Sequence, residues 1–170
     1  MHKYLAIFKI SLEKQLAYRL NFVLGQLRNL MILLLLYYVW IEVSKRTGYF
    51  AGYSESELIT YIFGVHLLRS LIFGSQSRLI ASEINEGIFS QYLVKPINHF
   101  WFCYARELSD RLVLFFTAII EMFILQLILP LNFVTPRNLA QITIVALAVI
   151  LAHALYVVMS YATNLIAFWS

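Results

Sequence analysis

Apolar residues fall in four long runs along the chain, each about as long as a membrane-crossing helix. The runs cover residues 22–41, 58–75, 112–133 and 139–168. A hydrocarbon core about 30 Å thick requires roughly 20 apolar residues of helix to cross it. The pattern therefore predicts an all-α, polytopic membrane protein with four transmembrane helices.

Two polar segments predict helices of other kinds. In residues 2–20, apolar positions recur every three or four residues and polar positions lie opposite: Leu5, Phe8, Leu12, Leu16 and Leu20 against Lys3, Ser11, Lys14 and Gln15. We expect an amphipathic helix lying in the membrane interface; the alternative is a charged extension of the first span. In residues 78–111 a helical pattern is stopped by Pro96, which predicts a polar loop that contains a short helix.

Composition supports a membrane location. Hydrophobic residues make up 61% of the chain and charged residues 13%, with a mean hydropathy of +0.76. An ordinary soluble domain is about half apolar and a quarter charged. The single cysteine, Cys103, excludes an intrachain disulfide. No apolar region follows the first basic residues closely, so a cleaved secretory signal is not expected.

Lysines and arginines are distributed unevenly between the two sides of the predicted bundle. The N-terminal segment and residues 78–111 carry nine basic residues: Lys3, Lys9, Lys14, Arg19, Arg28, Arg78, Lys95, Arg106 and Arg111. The opposite side carries three: Lys45, Arg46 and Arg137. The positive-inside rule places the N-terminus and residues 78–111 in the cytoplasm, with the protein in the inner membrane. The net charge of +4 favours anionic lipid surfaces, and no nucleic-acid partner is expected.

The cytoplasmic segment carries the pattern Glu83-x-x-x-Gly87-x-x-x-x-x-Leu93-x-x-Pro96 between the second and third spans. With the amphipathic helix before it, this layout resembles the permease subunits of ABC-2-type transporters, in particular a branch of uncharacterised export permeases. The resemblance implies export of a hydrophobic or amphipathic substrate, with ATP bound and hydrolysed by a separate ABC ATPase. It also implies pairing with a second permease, identical or related.

The resemblance assigns ATPase coupling to Glu83, Glu86, Gly87, Leu93 and Pro96. Glu83 and Gly87 share a helix face because they are four residues apart. Carboxylates beside a glycine would suit basic residues on an ATPase that approaches the backbone closely. The alternative is an amphipathic hairpin on lipid headgroups with solvated charges.

Permeases of this type have six membrane helices, whereas this chain predicts four. We expect either a fragment without the last two helices or a shortened member. In both cases, export by these 170 residues alone is not expected.

Four polar residues within the predicted spans are candidates for a translocation path: Arg69, Glu121, His66 and His153. Intramembrane charges usually pair or line a water-filled path. Arg69 and Glu121 lie at similar depths in antiparallel spans, so we expect them to be partners, within this chain or across a subunit interface. For the two histidines, a buried imidazole bonded to a neighbour is the commoner case.

The sequence offers no catalytic motif. It contains no P-loop, no zinc-ligand spacing and no G-x-S-x-G, so we expect no catalytic residue, no metal and no cofactor. Two rival functions remain open. A non-transporting membrane adaptor would dock a partner through residues 83–96. A membrane-embedded enzyme would require a cluster of polar residues that the sequence does not display.

Overall fold

The all-α prediction is confirmed. A computed structural model describes residues 2–47, 52–74, 78–136 and 138–169, and their regular structure is helical. In chain order the helices are α1 (His2–Ala17), α2 (Arg19–Thr47), α3 (Glu55–Ile72), α4 (Arg78–Asn85), α5 (Ser90–Leu93), α6 (His99–Ile128) and α7 (Leu139–Leu165), followed by a 3₁₀ turn (Ile166–Phe168).

Polar caps define where three of the long helices begin. At the start of α3, Ser54 Oγ accepts a hydrogen bond from the backbone N–H of Glu57, and Glu57 Oε2 accepts one from the N–H of Ser54 at 2.8 Å. Both hydrogen bonds of a capping box are therefore present. The side-chain oxygens of Asn98 and Asn138 each accept from a first-turn N–H of α6 and α7 at 3.2 Å. Each cap satisfies a donor that a helix start leaves unpaired.

Helix α6 is longer than the apolar run that predicted it. It begins at His99, whereas the predicted third span began at residue 112, and its 30 residues extend for about 45 Å. The expected loop of residues 78–111 therefore consists of two short helices followed by the first part of α6. The helix continues through a charged region because Arg106 pairs with Glu83 and Arg111 pairs with Glu107.

Within the part of the chain that the structure describes, three helical segments are long and apolar enough to cross a membrane. They are Arg19–Arg46, His99–Ile128 and Leu139–Phe168. Helix α3 has 18 residues and carries Glu55, Glu57 and Arg69, so its crossing remains a prediction. Three of the four predicted spans are thus supported by length and composition.

The apolar core lies where α2, α3 and α6 meet, and Leu131 joins it from beyond α6. Its buried members are Leu33, Tyr37, Ile59, Ile62, Phe63, Leu125 and Leu131. Helix α7 packs on α3 and α4 but buries none of its residues fully. Because lipid is as apolar as these side chains, an exposed apolar helix surface is expected in a bilayer.

Helix α1 packs against α6, although not through the whole predicted stripe. Leu5 is 64% exposed and Leu20 is 73% exposed, whereas Phe8 and Leu12 are half-buried. The side chain of Leu16 lies outside the described residues. Lys3 Nζ donates to the carbonyl oxygen of Pro96 at 2.7 Å, which joins α1 to the chain just before α6.

Candidate functional site

Gly87 lies just after α4, the first of the two short helices that precede α6. Its φ is +72°, a backbone conformation that favours glycine. The N–H of Gly87 donates to the carbonyl of Ile84, and the N–H of Phe89 donates to the carbonyl of Glu83, both at 3.0 Å. The chain thereby reverses between α4 and α5. The glycine of the predicted coupling pattern is required by this turn.

The two glutamates of the coupling segment lie in different environments. Glu83 Oε1 accepts from Arg106 Nη1 at 2.7 Å, and the two side chains are only 14% and 13% exposed. Glu86 and Gly87 are exposed. The hypothesis that Glu83 offers its carboxylate to an ATPase is therefore not supported by its position, since this charge already pairs with α6. Glu86 is the carboxylate that the segment presents outward.

Aromatic side chains attach the coupling segment to the rest of the fold. The ring of Tyr92 lies 4.9 Å from that of Phe102 and 5.1 Å from that of His99, both on α6. The ring of Phe89 lies 4.9 Å from that of Phe168 after α7. Burial raises the pKa of the Tyr92 phenol, and the nearby charge of Glu83 raises it further. The segment is thus held against both α6 and the end of α7.

The last two predicted coupling residues, Leu93 and Pro96, lie where the segment ends. Pro96 is exposed and its carbonyl accepts from Lys3. The backbone of Leu93 ends α5, and its side chain lies outside the described residues.

A polar cavity of about 210 Å³ lies between α2, α3 and α6. Three of the four predicted translocation residues line it: His66, Arg69 and Glu121. His66 Nε2 lies 2.9 Å from Glu121 Oε2. Within the described part of the chain no ion pair joins Arg69 to Glu121, so the partner of this carboxylate in the chain is His66 rather than the predicted Arg69. Pairing of Arg69 across a subunit interface stays a prediction.

The same cavity is lined by polar residues that were not predicted to form the site. Gln26, Asn29 and Ser70 line it together with the three residues above. Gln26 Nε2 donates to Thr117 Oγ1 at 3.1 Å, which ties α2 to α6. Two features of the sequence could have indicated them. They are polar residues inside apolar runs, and Gln26 and Asn29 are three residues apart, on one face of a helix.

His153 lies in a separate buried cluster and not in this cavity. Its Nδ1 is 3.2 Å from the carbonyl oxygen of Leu71, and its ring contacts the guanidinium of Arg111. Arg111 Nη2 also donates to Glu107 Oε1 at 3.2 Å, and Arg111 lies over the ring of Tyr156. We call these residues the α6–α7 cluster. Its sequence signal is the acid–base pair four residues apart at Glu107 and Arg111.

Gly74 closes one side of the α6–α7 cluster. A Cβ atom added there would lie 1.6 Å from Glu107 Oε1 and 3.3 Å from Arg111 Nε. The carbonyl oxygen of Gly74 accepts from the hydroxyl of Tyr156 at 2.8 Å. The chain after α3 therefore passes so close to α6 that any residue larger than glycine requires Glu107 or the backbone to shift. Contacts at this level join the end of α3 to α6 and α7.

The arrangement as a whole is a helical bundle with a partly open polar cavity between α2, α3 and α6 and with residues 83–96 packed against α6. The family model of ABC-2 family transporter proteins matches residues 28–170. The chain belongs to this family. The resemblance found in residues 83–96 is thereby confirmed at the level of the family. No curated protein and no solved structure matches the chain. As an ABC-2 family protein it is a membrane permease of ABC-type transport, and the family in general works with an ABC ATPase.

Proposed function

We propose that this ABC-2 family chain is the permease subunit of an ATP-driven exporter for hydrophobic or amphipathic substrates. ATP is hydrolysed by a separate ABC ATPase that docks on the cytoplasmic segment of residues 83–96. The observation that carries the proposal is the continuity of α6 from that segment to the intramembrane cavity. One rigid element contacts both the docking surface and the path.

The geometry of α6 suits the transmission of motion. Arg106, near its first turns, holds Glu83 of α4, and Glu121 lines the cavity. These two α6 positions are 15 residues apart, about 22 Å along a helix. Packed helices move between discrete arrangements rather than deforming continuously. A displacement of α4 by the ATPase would therefore shift Glu121 relative to α2 and α3, and so change the shape of the cavity.

The docking surface is formed by the exposed part of the segment. Glu86 and Gly87 face outward, and the reversal at Gly87 brings backbone to the surface. An ATPase with basic residues at its contact would pair with Glu86. Orientation by the positive-inside rule puts this surface and the N-terminus on the cytoplasmic side of the inner membrane.

Transport requires alternating access to the cavity from the two sides of the membrane. The cavity borders α2, α3 and α6 and is partly open, and Arg69 in its lining is exposed. A second permease, the same chain or a related one, would complete the path beside this opening. ATPase closure then acts by favouring one of two packing states of the paired bundles.

Docking is tested by co-purification of the permease with the ABC ATPase encoded beside it in the genome. Glu86→Lys should reduce capture of the ATPase, because it reverses the outward charge. Glu55→Lys, the same change at an exposed position at the other end of the bundle, should leave capture unchanged. Equal capture by both variants would refute docking through residues 83–96.

Coupling is tested by transport into inverted vesicles that contain the permease and its ATPase. Glu83→Arg or Arg106→Glu alone should abolish ATP-dependent uptake while the ATPase is still captured, because like charges then separate α4 from α6. The double exchange Glu83→Arg with Arg106→Glu should restore uptake. Uptake at the original rate by either single variant would refute the coupling role of α6. An adaptor would capture the ATPase and transport nothing in any of these variants.

A further inference from the structure

The lining of the cavity between α2, α3 and α6 includes a cation with no counter-charge among the described residues. Arg69, in the last turn of α3, lines the cavity, and its side chain is exposed. Among the described residues, none forms an ion pair with its guanidinium or accepts a hydrogen bond from it. A charge inside a membrane bundle is costly unless it is paired or reaches water, so the predicted crossing of α3 makes Arg69 a site for an anion from outside this chain.

Glu121 does not supply that anion, because its carboxylate faces His66 and forms no ion pair with Arg69 within the described part of the chain. Its Oε2 pairs with His66 at 2.9 Å, and its side chain is 8% exposed. Its second oxygen, Oε1, is buried and has no hydrogen-bond partner. An unsatisfied buried acceptor is costly, so the cavity also favours a hydrogen-bond donor.

The rest of the cavity lining is suited to a hydroxyl-bearing group. Gln26, Asn29 and Ser70 contribute uncharged donors and acceptors, and Ile32 and Phe73 contribute apolar surface. The volume of about 210 Å³ is several water molecules in size. It is large enough for a small polar headgroup and too small for a whole lipid with its chains.

We propose that this cavity binds the headgroup of an anionic amphiphile, one that carries a phosphate and hydroxyl groups, as a phosphoglycerol headgroup does. Arg69 binds the phosphate oxygens, and a headgroup hydroxyl donates to Oε1 of Glu121. The acyl chain extends along the exposed apolar surface between the helices. The proposal rests on the transport function proposed above and specifies the class of substrate.

Binding is tested on the purified chain in dodecylmaltoside micelles, with lysophosphatidylglycerol and lysophosphatidylcholine of equal chain length as probes. Wild-type protein should bind the phosphoglycerol lipid more tightly, because choline carries a cation and has no donor for Glu121. Arg69→Gln should weaken lysophosphatidylglycerol binding tenfold or more, and Arg69→Lys should keep part of it. Glu121→Leu should weaken the same binding without creating a preference for choline.

The matched control is Arg28→Gln, which removes an exposed arginine of α2 that does not line the cavity. Unchanged binding by this variant is expected. Equal weakening in Arg28→Gln and Arg69→Gln would overturn the site, since general surface attraction would then explain the preference. Loss of dimers in Arg69→Gln with unaltered lipid binding would also overturn it, by assigning the counter-charge to a second chain.

Lipid binding and ATP-dependent uptake are measured separately, so either proposal can fail while the other holds. Selective binding with no ATP-dependent uptake of any substrate would retain the site and reject the exporter function. ATP-dependent uptake of lysophosphatidylglycerol that is equal in wild type and Arg69→Gln would retain the exporter and reject the site.

Discussion

Replacing Gly74 with alanine should destabilise the bundle through a single steric contact. The added methyl group would lie 1.6 Å from Glu107 Oε1, the oxygen that accepts from Arg111 at 3.2 Å. Glu107 is 5% exposed and Arg111 is 2% exposed, and the cavity that both side chains border measures only about 20 Å³, so the carboxylate has little room to move. Either the backbone after α3 moves away from α6 or the ion pair breaks.

The expected cost follows from those two alternatives. Overpacking a filled interior costs about 1–3 kcal/mol, and breaking a buried ion pair costs about 3–5 kcal/mol. Partial relaxation by both routes gives a destabilisation of about 3 kcal/mol. At roughly 2–4 °C per kcal/mol for a chain of this size, the melting temperature should fall by about 6–12 °C.

The assay is thermal unfolding in detergent, followed by the fraction of monodisperse protein that remains after heating. Gly64→Ala is the matched control, because it makes the same change within α3 at a position with no atom within 4 Å of the new Cβ. It should melt at or slightly above the wild-type temperature, since alanine is the better helix former. Equal melting temperatures for Gly74→Ala and Gly64→Ala would refute the predicted clash. In a Glu107→Ala background, Gly74→Ala should add almost no further cost.

Three further predictions concern other positions. Gly87→Ala should destabilise the α4–α5 reversal by about 1–2 kcal/mol, because its φ of +72° is unfavourable for alanine; faster proteolysis of the segment than in Gly87→Asn would show it. The backbone N–H of Ser54 and, to a smaller extent, its hydroxyl lower the pKa of Glu57, so Ser54→Ala, which removes only the hydroxyl, should raise this pKa part of the way towards its ordinary value. The folded-state pKa is the lower one, so this stabilisation of α3 is present above the unfolded-state pKa and is lost as the pH falls through the folded-state pKa; carboxyl NMR titration would measure it. His66→Leu should cost about 1–3 kcal/mol by leaving Oε2 of the buried Glu121 without its hydrogen-bond partner, whereas His66→Leu with Glu121→Leu should recover most of that loss in the same melting assay.

Apolar periodicity was sufficient for the elements that face lipid or core. It located the ends of α3 and α7 and the start of α2 within three residues, whereas α2 continues six residues beyond the predicted end of the first span. It misplaced the start of α6, because a count of apolar residues treats Glu107 and Arg111 as signs of a loop. Their acceptability inside a helix depends on each other and on α3 and α7, which only the folded structure brings near.

The candidate site was predicted as a set of residues but not as a set of pairs. Helical rise fixes depth along a span, and on that basis Arg69 and Glu121 were assigned to each other. Depth does not fix rotation about the helix axis. His66 is three residues before Arg69, about 4.5 Å along the axis and 60° around it, and this offset is enough to put the imidazole on Glu121. No sequence pattern indicated that Glu83 turns inward towards Arg106.

The α6–α7 cluster sets an order of events during synthesis of the chain. Arg111 emerges from the ribosome 42 residues before His153, its contact on α7. At 5–20 residues per second, roughly 2–8 s pass between the two. During that interval, the translocon or the membrane surface must hold a helix whose charged side chains do not yet have all the contacts of the folded protein. Substitutions in this cluster should therefore lower the yield of inserted protein before they affect any activity of the finished one.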